Sequence, residues 1–260
     1  MGNSGRFVWR DLMTPDPEKS VSFYTSLFGW TINPIDMGPG GVYRMLRNGE
    51  TDFGGIGPLD AGLNVRPHWR PYISTPNVDE TTSKAAALGA TIVEQPMDIP
   101  NVGRFSVLRD PEGAEFATFS DSTGQPEPEG STYTGASTPG GITWNELMAG
   151  DAAAEASFYS KLFGYTIQDA DMGTGPYTIL ARGSTYDDYE AGVFPKPPQA
   201  PPSGWTIMFH VPSLDKALAD IGNLGGKTIS PIIPVPDIGR VAMATDSLGA
   251  VFGVHEPAPK

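Results

Sequence analysis

The sequence predicts an α+β fold built from four copies of a β-α-β-β-β module, grouped two by two along the chain. Three observations carry that expectation. The stretch WRDLMTPDPEKSVSFYTSLFGW at 9–30 returns at 144–165 as WNELMAGDAAAEASFYSKLFGY. Trp9 stands against Trp144, Asp11 against Glu146 and Gly29 against Gly164 at one constant offset, which marks an internal duplication. A second set of matches, Trp69 with Trp205, Gly89 with Gly225 and Gly113 with Gly249, holds at an offset one residue larger. Finally, the apolar runs are short and Gly (32) and Pro (26) are abundant, as in chains of many strands joined by tight turns.

Each element follows from local pattern. Over Pro15–Phe28 the apolar residues Val21, Tyr24, Leu27 and Phe28 have helical spacing, with Thr14-Pro15-Asp16 as cap and first turn and Gly29 as the stop. Strand-like runs follow at 31–35, 42–47 and 51–56. The next module reads as a strand at 69–75, a helix at 78–88 ending at Gly89, and strands at 91–95, 104–108 and 115–119. The second half repeats the order, its last module reading as 205–211, a helix at 214–224, then strands at 228–235, 240–245 and 250–255. The expected domains are 1–120 and 141–260. Between them, 121–140 is rich in Ser, Thr, Gly and Pro and reads as a linker.

Composition excludes several functions. With Lys plus Arg 17 against Asp plus Glu 30, the formal charge is −13, which opposes phosphate backbones and anionic membranes, so neither nucleic acid nor membrane is an expected partner. No apolar run approaches the roughly 20 residues that span a bilayer, and 1–10 lacks the apolar core of a signal peptide; a soluble, cytoplasmic protein is expected. Cysteine is absent, which removes disulfides, thiolate metal sites and cysteine nucleophiles. There is no phosphate-loop pattern around GPGG at 38–41 and no G-x-S-x-G elbow.

Four such modules, with FY-x-x-LFG closing the first helix and DPEG at 110–113 before a final strand, resemble the vicinal oxygen chelate superfamily, which includes glyoxalase I, extradiol dioxygenases and bleomycin resistance proteins. The tandem form, with W-x-[DE]-L before each first helix, is similar to a two-domain actinobacterial group that includes a mycobacterial culture-filtrate antigen and hydroxylase-like proteins of antibiotic clusters. The resemblance implies two glyoxalase/bleomycin-resistance-like domains, each with a cleft on the concave sheet face and helices on the other. It also implies His, Gln or Glu metal ligands on first and last strands. At those positions this chain has Trp9, Trp144, Ala117 and Gly253, none of which binds a divalent ion. No metal ligand and no cofactor is therefore expected.

Asp11 and Glu146 lie two residues from Trp9 and Trp144 on strands, so each carboxylate shares a face with an indole. That face is the cleft by resemblance, and the pair suits stacking of an aromatic ligand with a carboxylate to anchor it or exchange a proton. The plainer alternative is that each carboxylate bonds nearby backbone N–H groups. In TIMFHV at 206–211, Ile207, Phe209 and Val211 alternate as the helix-facing set, which turns Thr206, Met208 and His210 the other way. The first-half counterparts are Arg70, Tyr72 and Ser74. His210 is the neutral-pH acid–base candidate, or else a hydrogen-bonded structural histidine. A metal held by His210, His255 and Glu146 would abandon the family's positions. Tyr43 and Tyr177 occupy equivalent strands, and alternation leaves their face open. Arg104 and Arg240 follow glycines, either as carboxylate binders or as salt bridges at strand starts.

The expected catalytic set is thus Asp11, Glu146 and His210. The ligand-binding set is Trp9, Trp144, Tyr43, Tyr177, Tyr72, Met208 and Arg70. The expected function is binding of a small hydrophobic, aromatic molecule by a monomer or homodimer. The alternatives are a metal-independent isomerase, lyase or hydroxylase-like enzyme and a metal-dependent glyoxalase-like lyase.

Overall fold

The computed structural model describes residues 5–38, 41–59, 65–122, 138–172, 175–197, 200 and 202–259. Most of the expected linker, 123–137, lies outside them. Module 1 runs β1 (Phe7–Thr14), α1 (Pro17–Phe28), β2 (Thr31–Asp36), β3 (Val42–Asn48) and β4 (Thr51–Pro58). Module 2 runs β5 (His68–Ser74), α2 (Val78–Ala87), β6 (Thr91–Ile99), β7 (Gly103–Arg109) and β8 (Glu115–Asp121). Module 3 runs β9 (Ile142–Ala149), α3 (Ala152–Phe163), β10 (Thr166–Asp171), β11 (Pro176–Ala181) and β12 (Tyr189–Pro195). Module 4 runs β13 (Gly204–His210), α4 (Leu214–Asn223), β14 (Lys227–Thr228), β15 (Ile233–Val235), β16 (Gly239–Thr245) and β17 (Val251–Pro257). The fold is α+β; the described residues form two mixed sheets, four α-helices and a 3-10 turn at Tyr186–Asp188.

Two details differ from the sequence reading. The first helix begins at Pro17 rather than Pro15, because Asp16 is the cap and accepts from Lys19 N. The run expected at 228–235 is split into β14 and β15, both paired with β16, because Pro231 between them has no N–H to give the ladder.

One sheet has the order β2-β3-β4-β1-β5-β8-β7-β6. The other has β10-β11-β12-β9-β13-β17-β16-β14, with β15 beside β16. Within a module the last strand returns parallel to the first, Asp11 pairing with Gly55 and Glu146 with Gly192.

The chain also divides into two compact units, one of 145–205 with 70–132 and the start of β1, the other of 10–69 with 206–260 and the start of β9. Each unit therefore joins one module of each half around its own core. In the first, Phe116, Leu147, Phe158, Tyr159 and Trp205 pack with Ile73 and Val193. In the second, Leu12, Phe23, Tyr24, Trp30 and Ile56 pack with Ile207, Phe209 and Phe252.

The repeated FY and D-x-x-G motifs meet inside these cores. In one unit Trp205 Nε1 donates to the Tyr159 hydroxyl at 3.0 Å, which donates to Asp110 Oδ2 at 3.0 Å. Asp110 Oδ1 in turn accepts the N–H groups of Glu112 and Ala114, closing the DPEG turn. In the other unit Trp69 Nε1 donates to Tyr24, while Asp246 closes the equivalent turn by accepting from Leu248 and Ala250. Burial, followed by the charge of the nearby aspartate, holds both tyrosines well above their ordinary pKa. These motifs are thus structural. No helix among the described residues is long and apolar enough to cross a membrane.

Candidate functional site

The face opposite the helices carries the same construction in modules 1 and 3. Leu12 and Leu147 enter the helix-side cores, so Asp11 and Glu146, one residue away, point to the other face. Tyr43 on β3 donates its hydroxyl to Asp11 Oδ1 at 2.7 Å, and Tyr177 on β11 donates to Glu146 Oε1 at 2.8 Å. Both tyrosines start two strands away from their carboxylate. With strands about 4.8 Å apart, the ring reaches it only by lying flat over the strand between. That strand carries glycine at the crossing point. A Cβ on Gly55 would stand 2.0 Å from the Tyr43 hydroxyl, and one on Gly192 would stand 1.9 Å from that of Tyr177.

Glu146 is half-buried and its carboxyl is pushed up to about 7 by desolvation, which the bond from Tyr177 only partly offsets. A carboxyl in that range exchanges protons readily at neutral pH. The two copies differ next to the tyrosine. Phe194 lies two residues beyond Gly192 and stacks on Tyr177, with centroids 6.3 Å apart and planes at 9°. Module 1 has Gly57 at that place, with Met13 Sδ 3.5 Å from its Cβ position.

Module 2 contributes an ionic cluster. Arg70 reaches Glu115 Oε1 at 3.3 Å and Arg109 reaches Glu115 Oε2 at 3.2 Å. Arg70 also donates to the Tyr72 hydroxyl at 3.3 Å. Tyr72 packs with Val107 and Ala117 in a small cluster that includes Trp9, Phe105 and Phe119. In module 4, Met208 pairs with Gly253, and its sulfur stands 2.6 Å from where a Cβ on Gly253 would be. His210 pairs in register with His255. The Nδ1 atom of His210 is buried without a hydrogen-bond partner, while His255 Nε2 lies 3.1 Å from the Ile238 carbonyl. Burial lowers the pKa of His255.

The glyoxalase-like domain family matches residues 8–119. CFP32 of Mycobacterium tuberculosis, whose name proposes a glyoxylase, is 37% identical over 120 residues, which span 46% of this chain and 45%, under half, of that protein. A glyoxylase-like domain-containing protein of Didymella fabae is 33% identical over 98 residues, 36% of this chain and 75% of its own length. The chain belongs to the glyoxalase-like, vicinal oxygen chelate superfamily. Over its whole length this superfamily member is similar to the anthracycline biosynthesis protein DauV of Streptomyces sp. strain C5, at 29% identity over 97% of this chain and 93% of that one. The Mn(II)-bound glyoxalase of Novosphingobium aromaticivorans shares the fold, with a TM-score of 0.63 and 14% identity over 100% of this chain and 89% of that one.

The superfamily's metal-ligand positions do not fit an ion here. Trp9 lies in the Tyr72 cluster beside fully buried Ala117, and the place above Gly253 is filled by the Met208 thioether. Among the described residues no three His, Asp or Glu side chains converge as a metal site would need.

The expected site residues therefore sort by place. Asp11 with Tyr43, and Glu146 with Tyr177, form bonded pairs; Trp9, Arg70 and Tyr72 share the module 2 face; Met208 and His210 share that of module 4. Trp144 is half-buried, and strand alternation from Leu147 puts it on the Glu146 face. Arg104 bridges to Asp79 and Asp98, and Arg240 to Asp215 and Glu256, which is the salt-bridge alternative. Sequence reasoning did not find the glycines under the tyrosines or the Arg70–Glu115–Arg109 cluster. A glycine inside a strand, opposite a carboxylate in the duplicated copy, is the signal that points to the first.

Proposed function

We propose that this chain binds a small hydrophobic, aromatic molecule against the strand faces that carry the tyrosine–carboxylate pairs, without a metal ion. The supporting observation is the duplicated pair itself, a phenol bonded to a carboxylate over a strand glycine, with Phe194 stacked on the tyrosine in module 3. Such a surface offers rings for stacking and one polar anchor. The donor set supports the metal-free part, since indole, methyl and hydrogen stand at the positions where relatives of this fold hold ions. Full-length similarity to an anthracycline biosynthesis protein supports a polycyclic aromatic ligand.

A screen of aromatic compounds by tryptophan fluorescence tests this. Trp30, Trp69 and Trp205 are buried in the cores, whereas Trp144 is half-buried on the Glu146 face and Trp9 is half-buried in the Tyr72 cluster. A binding compound is expected to quench emission, and Trp9→Phe or Trp144→Phe to remove that quenching. A stoichiometric divalent ion required for binding would contradict the proposal.

A second reading, a metal-independent enzyme, has its own support in Glu146. A half-buried carboxyl near 7, held by Tyr177, suits a general acid or base. In that case Glu146→Gln abolishes turnover and leaves ligand affinity nearly intact; full activity in the variant would remove the assigned role.

A further inference from the structure

The module 3 pair differs from its module 1 copy in ways that bear on what it recognises. Gly192 on β12 is fully covered by the Tyr177 ring, whose Cζ would lie 2.2 Å from an added Cβ. A methyl group there cannot coexist with the ring in its place, so the ring would lift from the strand and leave Glu146. Phe194, on the same face of β12, lies nearly parallel to Tyr177 and fixes its tilt. In module 1 the corresponding residue is Gly57, so that copy lacks this two-ring wall.

We propose that Gly192 and Phe194, by holding Tyr177 on Glu146, make module 3 a recognition site for the hydroxyl group of a neutral aromatic ligand. The inference rests on the aromatic-binding reading above and narrows it to one chemical class. Tyr177 occupies Oε1 of Glu146, and no Lys, Arg or His among the described residues bonds to this carboxyl, so Oε2 is the oxygen a ligand meets. A carboxylate-bearing ligand would bring a like charge to a desolvated carboxyl that has no cationic bonding partner among the described residues. A phenolic or enolic O–H instead donates to it, and the flat ring is matched by Tyr177 and Phe194. Because the ligand donates to the ionised carboxyl, affinity rises as pH increases through the range where Glu146 loses its proton, while the ligand's own hydroxyl, titrating near 10, stays neutral. Gly192 is a positioning residue, acting through Tyr177.

The test uses the full chain carrying 13C at the glutamate carboxyls, with 2-naphthol and its methyl ether, 2-methoxynaphthalene, as probes. In the wild type, 2-naphthol is expected to move the Glu146 titration downward and to bind about tenfold more tightly than the ether at mildly alkaline pH, the ratio a hydrogen bond to a charged group supplies. Gly192→Ala is expected to raise the Glu146 titration in the free protein and to erase the preference. Should that variant fail to fold, Tyr177→Phe keeps the stacked ring, removes only the hydroxyl, and is expected to do the same. Equal affinity for both probes, or a Glu146 titration unmoved in the variants, overturns the hydroxyl site and leaves the aromatic-binding reading standing. Binding of neither probe overturns both.

Discussion

Glu155 sits in α3 at the position where module 1 has Ser20, and the exchange places a second carboxyl beside Asp110. Glu155 is 1% exposed, and burial together with the charges of Asp110 and Glu112 pushes its carboxyl up to about 9; burial also raises Asp110. A folded-state pKa above the ordinary 4.5 means that the native state binds the extra proton. Its contribution to stability is complete below about 4.5 and is lost as pH rises towards about 9. Urea unfolding across that window is expected to give a falling midpoint for the wild type and a flatter profile for Glu155→Gln; parallel profiles would contradict the proton held on Glu155 in the native state. Tyr159→Phe removes the hydroxyl between Trp205 and Asp110 and is expected to cost about 1–3 kcal/mol, since it leaves a buried indole N–H and a carboxylate oxygen short of a partner. An unchanged melting temperature would count against that role. The duplicated tyrosine was easy to see in the sequence, whereas its partners were not, because Asp110 and Trp205 lie in other modules and spacing carries no information about contacts so remote.

At the scale of elements, duplication preserved the devices that start and stop helices. Asp16 and Asp151 cap α1 and α3 by accepting from Lys19 N and Ala154 N, and Gly29 and Gly164 end them in the left-handed region at φ 73° and 82°. Asp151→Ala is expected to cost about 1 kcal/mol, read as a lowered unfolding midpoint. All four helices and nearly all strands were legible from such local signals. The exception at 228–235 is a run of β-favouring residues interrupted by Pro231, where the missing N–H outweighs the apolar pattern. Alternation correctly placed Ile207, Phe209 and Val211 on the helix side. It was silent on Tyr43 and Tyr177, whose importance comes from crossing a neighbouring strand, a property of register rather than of sequence neighbours.

For the whole molecule, the duplication gives each strand-helix unit a partner from the other half. Leu12 and Phe23 share a core with Phe209 and Phe252, while Phe116 and Ile73 share one with Phe158 and Val193. Neither of these two cores is drawn from one half of the sequence alone. A fragment of residues 1–122 is therefore expected to lack a cooperative thermal transition as a monomer by circular dichroism, and an equimolar mixture with 138–260 to regain it; a fragment that melts cooperatively as a monomer would contradict this arrangement. The copies differ at the candidate sites too, where Asp11 and Gly57 in one answer to Glu146 and Phe194 in the other.

An aromatic molecule is expected to be held by these side chains with no ion between. Calorimetric titration of 2-naphthol into the protein before and after treatment with EDTA tests it most directly. Affinity unchanged by chelation is the predicted result; binding that disappears with EDTA and returns with Mn(II) would contradict the account.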